Sequence, residues 1–189
     1  MKPGKVLIFS APSGAGKTTI VRQLMARNPQ LAFSISATTR APRGQEIHGV
    51  DYHFLSEEEF KQRIESNEFA EYEEVYPGTY YGTLLREADA VRDSGRHLVL
   101  DVDVIGGLNL KKRYGSEALA LYILPPSIDV LRDRLTKRGT ESPEAIQTRV
   151  QKADLELQYA PQFDIRIVNQ DLQAAIGEVE QQITNFTAQ

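Results

Sequence analysis

The chain has 189 residues, 41% of them hydrophobic and 25% charged, with 13 glycines and 9 prolines, a balance that excludes disorder and a collagen-like fibre and predicts one globular domain with a real core. Lysine and arginine number 22 against 26 aspartates and glutamates; the formal charge of -4 gives no bulk attraction for nucleic acid or an anionic membrane, so bound phosphate must be held by local charge. There is no cysteine, which excludes disulfides, thiolate metal sites and a cysteine nucleophile, and no apolar run near the N-terminus approaches a membrane span or signal-peptide core, so a soluble, unprocessed protein of the cytoplasm is expected.

In chain order, the apolar run 6–9 closed by a polar, glycine-bearing turn predicts a strand buried on both faces. Ile20, Val21, Leu24 and Met25 recur at helical spacing and predict a helix over 18–27. Residues 33–83 read as a small insert of short strands and turns. Within it, Ser56-Glu57-Glu58-Glu59 matches a capping box and predicts a helix over 57–66. A further helix over 85–94 is ended by Gly95. A second buried strand over 97–103 carries Asp101 and Asp103 at its C-terminal end, and alternation would send both to one face. The run 119–124 predicts a third strand, followed by a basic helix to about Lys137, a break at Gly139 and a helix from Ser142-Pro143-Glu144 past Tyr159. A last strand over 165–168 precedes a C-terminal helix from about Leu172. Strands alternating with helices predict an α/β fold with a parallel sheet, whose ligands sit beyond the strand C-termini.

The segment Ala11-Pro12-Ser13-Gly14-Ala15-Gly16-Lys17-Thr18 fits the P-loop pattern, with Ala11 in place of the first glycine and with the required strand before and helix after. Gly14 and Gly16 let backbone N–H groups turn inward around phosphate oxygens at the positive end of the helix. Lys17 supplies charge to the outer phosphates and Thr18 a hydroxyl to Mg²⁺. The plain alternative is a glycine-bearing turn with a surface lysine.

In the insert, Arg40 and Arg43 bracket Pro42, and two guanidinium forks held together can chelate a phosphate. Tyr52 and Tyr81 offer hydroxyl donors to the same anion. A solvated basic loop, and tyrosines that only pack with a wet tip, are the alternatives. Asp101 and Asp103 are costly at the end of a buried strand unless they bind something. Arg134 and Arg138, four apart, share a helix face, with Arg149 on the next helix, and surface salt bridging is their alternative role. Lid arginines suit phosphoryl transfer, where catalysis is positioning plus cations around the moving charge. His48, His53 and His97 show no metal-ligand spacing.

Over essentially its whole length the sequence resembles the guanylate kinases, through 11–18, Ser36 with 38–43, 49–52, 69–71, 80–83, 100–103, 134–140 and Val168-Asn169. The resemblance implies a P-loop nucleoside monophosphate kinase fold: a central parallel sheet flanked by helices (core 1–33, 84–125 and 157–189), a GMP-binding insert (34–83) and a helical lid (126–156). It implies ATP-dependent, Mg²⁺-assisted phosphorylation of GMP to GDP by direct transfer. The residues Ala11, Pro12, Ser13, Gly14, Ala15, Gly16, Lys17, Thr18, Thr19 and Asn169 would bind ATP, and Lys17, Arg134, Arg138 and Arg149 would be catalytic. Arg40, Arg43, Tyr52 and Tyr81 would hold the GMP phosphate, and Ser36, Glu71, Thr83 and Asp103 the base. Thr18 and, through water, Asp101 would serve the metal.

These residue types suit guanine, whose N1–H and N2–H₂ are donors that carboxylates accept and whose O6 takes a hydroxyl proton; adenine would leave a buried carboxylate unpaired. Thr83 departs from the family's usual serine by a methyl group. Taken without the resemblance, Glu71 reads as part of an acidic exposed helix end, and Asn169 reads equally as a cap. The partners expected are small molecules alone, with neither nucleic acid nor membrane. Two rival readings are a binding module that uses the acceptor site for phosphopeptides and a kinase acting on another phosphorylated acceptor.

Overall fold

A computed structural model of the chain describes residues 2–138 and 142–188, with Arg138 described only as a helix position. The N-terminal part runs β1 (Val6–Ser10), α1 (Lys17–Arg27), β2 (Leu31–Phe33), β3 (Ser36–Thr38), β4 (His53–Phe54), α2 (Glu57–Glu65), β5 (Phe69–Tyr76), β6 (Thr79–Leu84) and α3 (Leu85–Asp93). The C-terminal part runs β7 (His97–Asp101), α4 (Val104–Tyr114), β8 (Ala118–Leu124), α5 (Ile128–Arg138), α6 (Pro143–Leu157), β9 (Ile165–Val168) and α7 (Leu172–Thr187). The larger sheet has strand order β2-β7-β1-β8-β9, with β2 paired to β7 and β8 to β9 in parallel; it is the central parallel sheet of an α/β fold flanked by helices.

By internal packing the chain divides into two compact units, Met1–Val6 with Gln30–Val99 and Leu7–Pro29 with Leu100–Gln189. In this division β2, α3 and most of β7 fall in the first unit with residues 34–83. The first unit contains a small sheet of order β4-β3-β6-β5. Its helix α2 begins where the capping box places it: Ser56 Oγ accepts from the Glu59 N–H at 3.1 Å, and Glu59 Oε2 accepts from the Ser56 N–H at 2.8 Å. One face of α2 buries Phe60, whose ring stacks on Phe69 with centroids 4.3 Å apart, beside Ala37 and Leu84. Gly82 in β6 is required by close packing, since a Cβ there would lie 2.8 Å from Phe69 Cδ1 and 2.9 Å from the Glu71 carbonyl oxygen.

In the second unit, Leu131 and Leu135 of α5 pack on Val150 and Ala153 of α6. Tyr122 of β8, fully buried, donates its hydroxyl to the Glu156 carbonyl at 2.9 Å and ties α6 to the sheet. Burial drives its phenol pKa upward.

Several elements depart from expectation. The strand carrying the two aspartates ends at Asp101, and Asp103 is instead the N-cap of α4, so alternation does not relate the two side chains. Helix α4 and strand β2 are not foreseen. Helix α6 stops at Leu157, before Tyr159. The expected break at Gly139, with Thr140 and Glu141, lies outside the described residues.

Candidate active site

The turn between β1 and α1 forms the phosphate loop. Gly14 and Gly16 both have φ of 95°, in the left-handed region that favours glycine. At Gly16 a Cβ would also collide with the Asn169 side-chain amide nitrogen. Ala11 is not among the described residues with positive φ, which is why alanine serves where the pattern has glycine. Helix α1 has no side-chain cap, so no capping side chain takes the N–H groups of its first turn, the end of a helix suited to an anion.

Lys17 is held between the Asp101 carboxylate, with which it forms an ion pair, and the Val102 carbonyl, to which Nζ donates at 2.9 Å. Two of its three ammonium protons are thereby directed and its charge stays at the loop. A cavity of about 340 Å³ is lined by residues 11–14 and 16–19 with Asp103, Arg149, Lys152 and Glu156. Arg149 donates to Ser13 Oγ at 3.0 Å, bringing a cation from α6 to the loop. Asp103 Oδ1 accepts from the N–H groups of Ile105 at 2.7 Å and Gly106 at 3.0 Å. Asp103 therefore holds the start of α4 and belongs to the unit of the phosphate loop, whereas the other seven GMP candidates belong to the first unit.

A second cavity of about 460 Å³ is lined by Gly14, Gly16, Thr19, Arg134, Lys137, Asn169 and its next three residues. Asn169, buried, donates to the Ala15 carbonyl at 2.7 Å. Arg134 donates to the Asn169 carbonyl at 2.8 Å and to that of Ala15 at 3.4 Å. Arg134 thus lies beside Asn169 in the second cavity, while Arg149 lines the first. Nothing is described of the Arg138 side chain.

Lys152 and Glu156 are additions to the expected site. They stand three and seven residues after Arg149, the spacing of one helix face, and that periodicity was the available signal. Burial raises the Glu156 carboxyl pKa, which Lys152 partly opposes from 3.6 Å.

In the insert, strand register lines up Ser36 of β3, Thr83 of β6 and Glu71 of β5 in one row, and Thr83 Oγ1 donates to Glu71 Oε1 at 2.8 Å. Glu71 lies on a strand, not at a helix end. Tyr81, two residues before Thr83 and on the same face of β6, accepts from Arg40 Nε at 3.1 Å. The Arg40 guanidinium lies 4.8 Å from the Tyr52 ring centroid, so Arg40, Tyr52 and Tyr81 form one cluster. Arg43 is exposed and joins it through its backbone N–H, which donates to Glu46 at 2.7 Å.

The family model described as guanylate kinase matches residues 3–186. The chain belongs to the guanylate kinase family. It is similar to the guanylate kinase of Bacteroides thetaiotaomicron, 56% identical over 97% of this chain and 90% of that protein, and to that of Porphyromonas gingivalis, 52% identical over 97% and 98%. A solved structure of guanylate kinase from Anaplasma phagocytophilum superposes with a TM-score of 0.74 and 25% identity, covering 100% of this chain and 89% of that one. As a guanylate kinase the chain is a nucleoside monophosphate kinase, an ATP:GMP phosphotransferase.

Proposed function

We propose that ATP is the donor bound at the phosphate loop, that GMP is the acceptor bound by the insert, and that the reaction is direct in-line transfer assisted by Mg²⁺ in the cytoplasm. An oxygen of the GMP phosphate bonds to the γ-phosphorus as the bond to the β–γ bridging oxygen breaks, releasing ADP and GDP. The observation that carries the acceptor assignment is the row of Ser36, Thr83 and Glu71, a carboxylate beside two hydroxyls on one sheet face.

Guanine's N1–H and N2–H₂ need an acceptor, which Glu71 supplies. Its O6 needs a donor, which Ser36 supplies, while the Thr83 proton is directed to Glu71. The cluster of Arg40, Tyr52 and Tyr81, with Arg43, would receive the phosphate. The resemblance also implies Asp103 as a contact to the base; within its own unit it caps α4.

On the donor side, the N–H groups at the start of α1, which has no side-chain cap, and Lys17 bind the phosphates, and Arg149 balances charge developing on the transferred group. Arg138 would join it. Arg134 and Asn169, bonded to the loop's Ala15 carbonyl, would position the loop and border the nucleoside of ATP. The Thr18 hydroxyl lining the first cavity and the Asp101 carboxylate on Lys17 are hard oxygen donors of the kind magnesium takes alongside water and phosphate oxygens, so the residues fit that ion. When bound, Mg²⁺ neutralises charge on the outer phosphates.

The division of sites is tested by Lys17→Ala, which is expected to lower turnover by about 100-fold or more, as removal of a cation on the transferred group does, while GMP affinity changes less than about twofold. A matching loss of GMP affinity, measured by calorimetry, would contradict the assignment.

A further inference from the structure

Arg40 reads in the sequence as a free guanidinium for an incoming phosphate, but the structure commits most of its donors internally. Nε donates to the Tyr81 hydroxyl at 3.1 Å, and one terminal nitrogen donates to the Ala41 carbonyl at 2.9 Å. Glu46 takes the fork: its two oxygens accept from the two terminal nitrogens at 2.6 and 2.8 Å. Glu46 Oε2 also accepts the Arg43 N–H at 2.7 Å, so one carboxylate ties both ends of the Arg-Ala-Pro-Arg turn. Four of the five guanidinium protons are used, one remains, and the cation is pressed over the Tyr52 ring with only 11% of its side chain exposed. Because Tyr81 accepts from Arg40, its own hydroxyl proton is left to donate elsewhere.

We propose that Glu46 is a positioning residue of the acceptor site, bracing Arg40, and through it Tyr81, in the arrangement that receives the acceptor's phosphate. This rests on reading the insert as the GMP site. A carboxylate beside an anion site repels the ligand, and that cost is offset if it removes the rotamer freedom of a long arginine before the ligand arrives. Arg40 holds the Glu46 carboxyl down to about 2, through its hydrogen bonds first, so the brace is fully charged at neutral pH.

Steady-state kinetics of the full chain with Glu46→Gln, Glu46→Asp and Glu46→Ala test the proposal. Glu46→Gln, which puts an amide donor against Arg40, is expected to raise the GMP KM about tenfold and Glu46→Ala more, with kcat within about threefold and the ATP KM unchanged. Glu46→Asp, which keeps the charge, recovers part of the loss. A lower GMP KM in Glu46→Ala would overturn the proposal, showing the carboxylate to be a competitor that phosphate must displace. An unchanged GMP KM, or a fall in kcat with both KM values raised, would also overturn it, the latter marking a merely structural contact. If Glu46→Ala does not fold, the near-isosteric Glu46→Gln decides. Wild-type protein that fails to turn over GMP would remove the acceptor reading itself, whereas normal wild-type turnover with unaltered variants would remove only the role of Glu46.

Discussion

Thr83 is buried and gives its hydroxyl proton to Glu71 Oε1, which orients the carboxylate within the strand row. Glu71→Gln turns one acceptor into an amide donor facing guanine's own donors, and it is expected to raise the GMP KM by about 10 to 100-fold with ATP affinity unchanged. An unchanged GMP KM in steady-state assays would take Glu71 out of the base pocket. At this scale the phosphate loop was legible, because strand, glycines, lysine and helix start stand at fixed spacing. Glu46 was not: a sequence shows arginines as donors and gives no sign that a carboxylate six residues on, in a loop without periodicity, consumes them. Asp103 was misplaced for a related reason, since an aspartate ending a strand and an aspartate capping the next helix look alike in one line of residues.

Helix α2 shows how far an element can be read from local chemistry. Both bonds of its capping box are present, and Ser56→Ala should cost about 1 kcal/mol by removing one of them, measured as a lower denaturation midpoint at unchanged slope. No change in midpoint would show that the cap is redundant with the packing of Phe60. Strands β1 and β9 and helix α7 were legible from apolar runs and helical spacing. Helix α4 was not, because Val104 and Ile105 continue the apolar run of β7 and Gly106-Gly107 argue against helix. Packing overrides that propensity: at Gly107 a Cβ would collide with Ser10 Oγ and lie 3.2 Å from a Phe163 ring carbon, so glycine lets α4 approach β1 closely. Strand β2, three residues long, is too short for alternation to reveal.

For the whole molecule, a net charge of -4 is compatible with the two anion sites we propose because the cations concerned are placed rather than numerous: Lys17 and Arg149 at the loop, Arg40 in the insert. Among the described residues no helix is long and apolar enough to cross a membrane. The parallel α/β architecture was legible from alternating strands and helices, whereas the grouping of β2, α3 and most of β7 with the insert depends on packing that no local pattern encodes. The central claim is acceptor choice by the insert joined to phosphoryl transfer at the loop, and it is tested most directly by ADP formation from Mg-ATP with GMP, AMP, CMP, UMP or no acceptor under identical conditions. The account predicts turnover with GMP at least about 100-fold above the other acceptors, the discrimination expected when a wrong base leaves the site's carboxylate unpaired. Binding of GMP without ADP formation, or equal turnover with AMP, would contradict it.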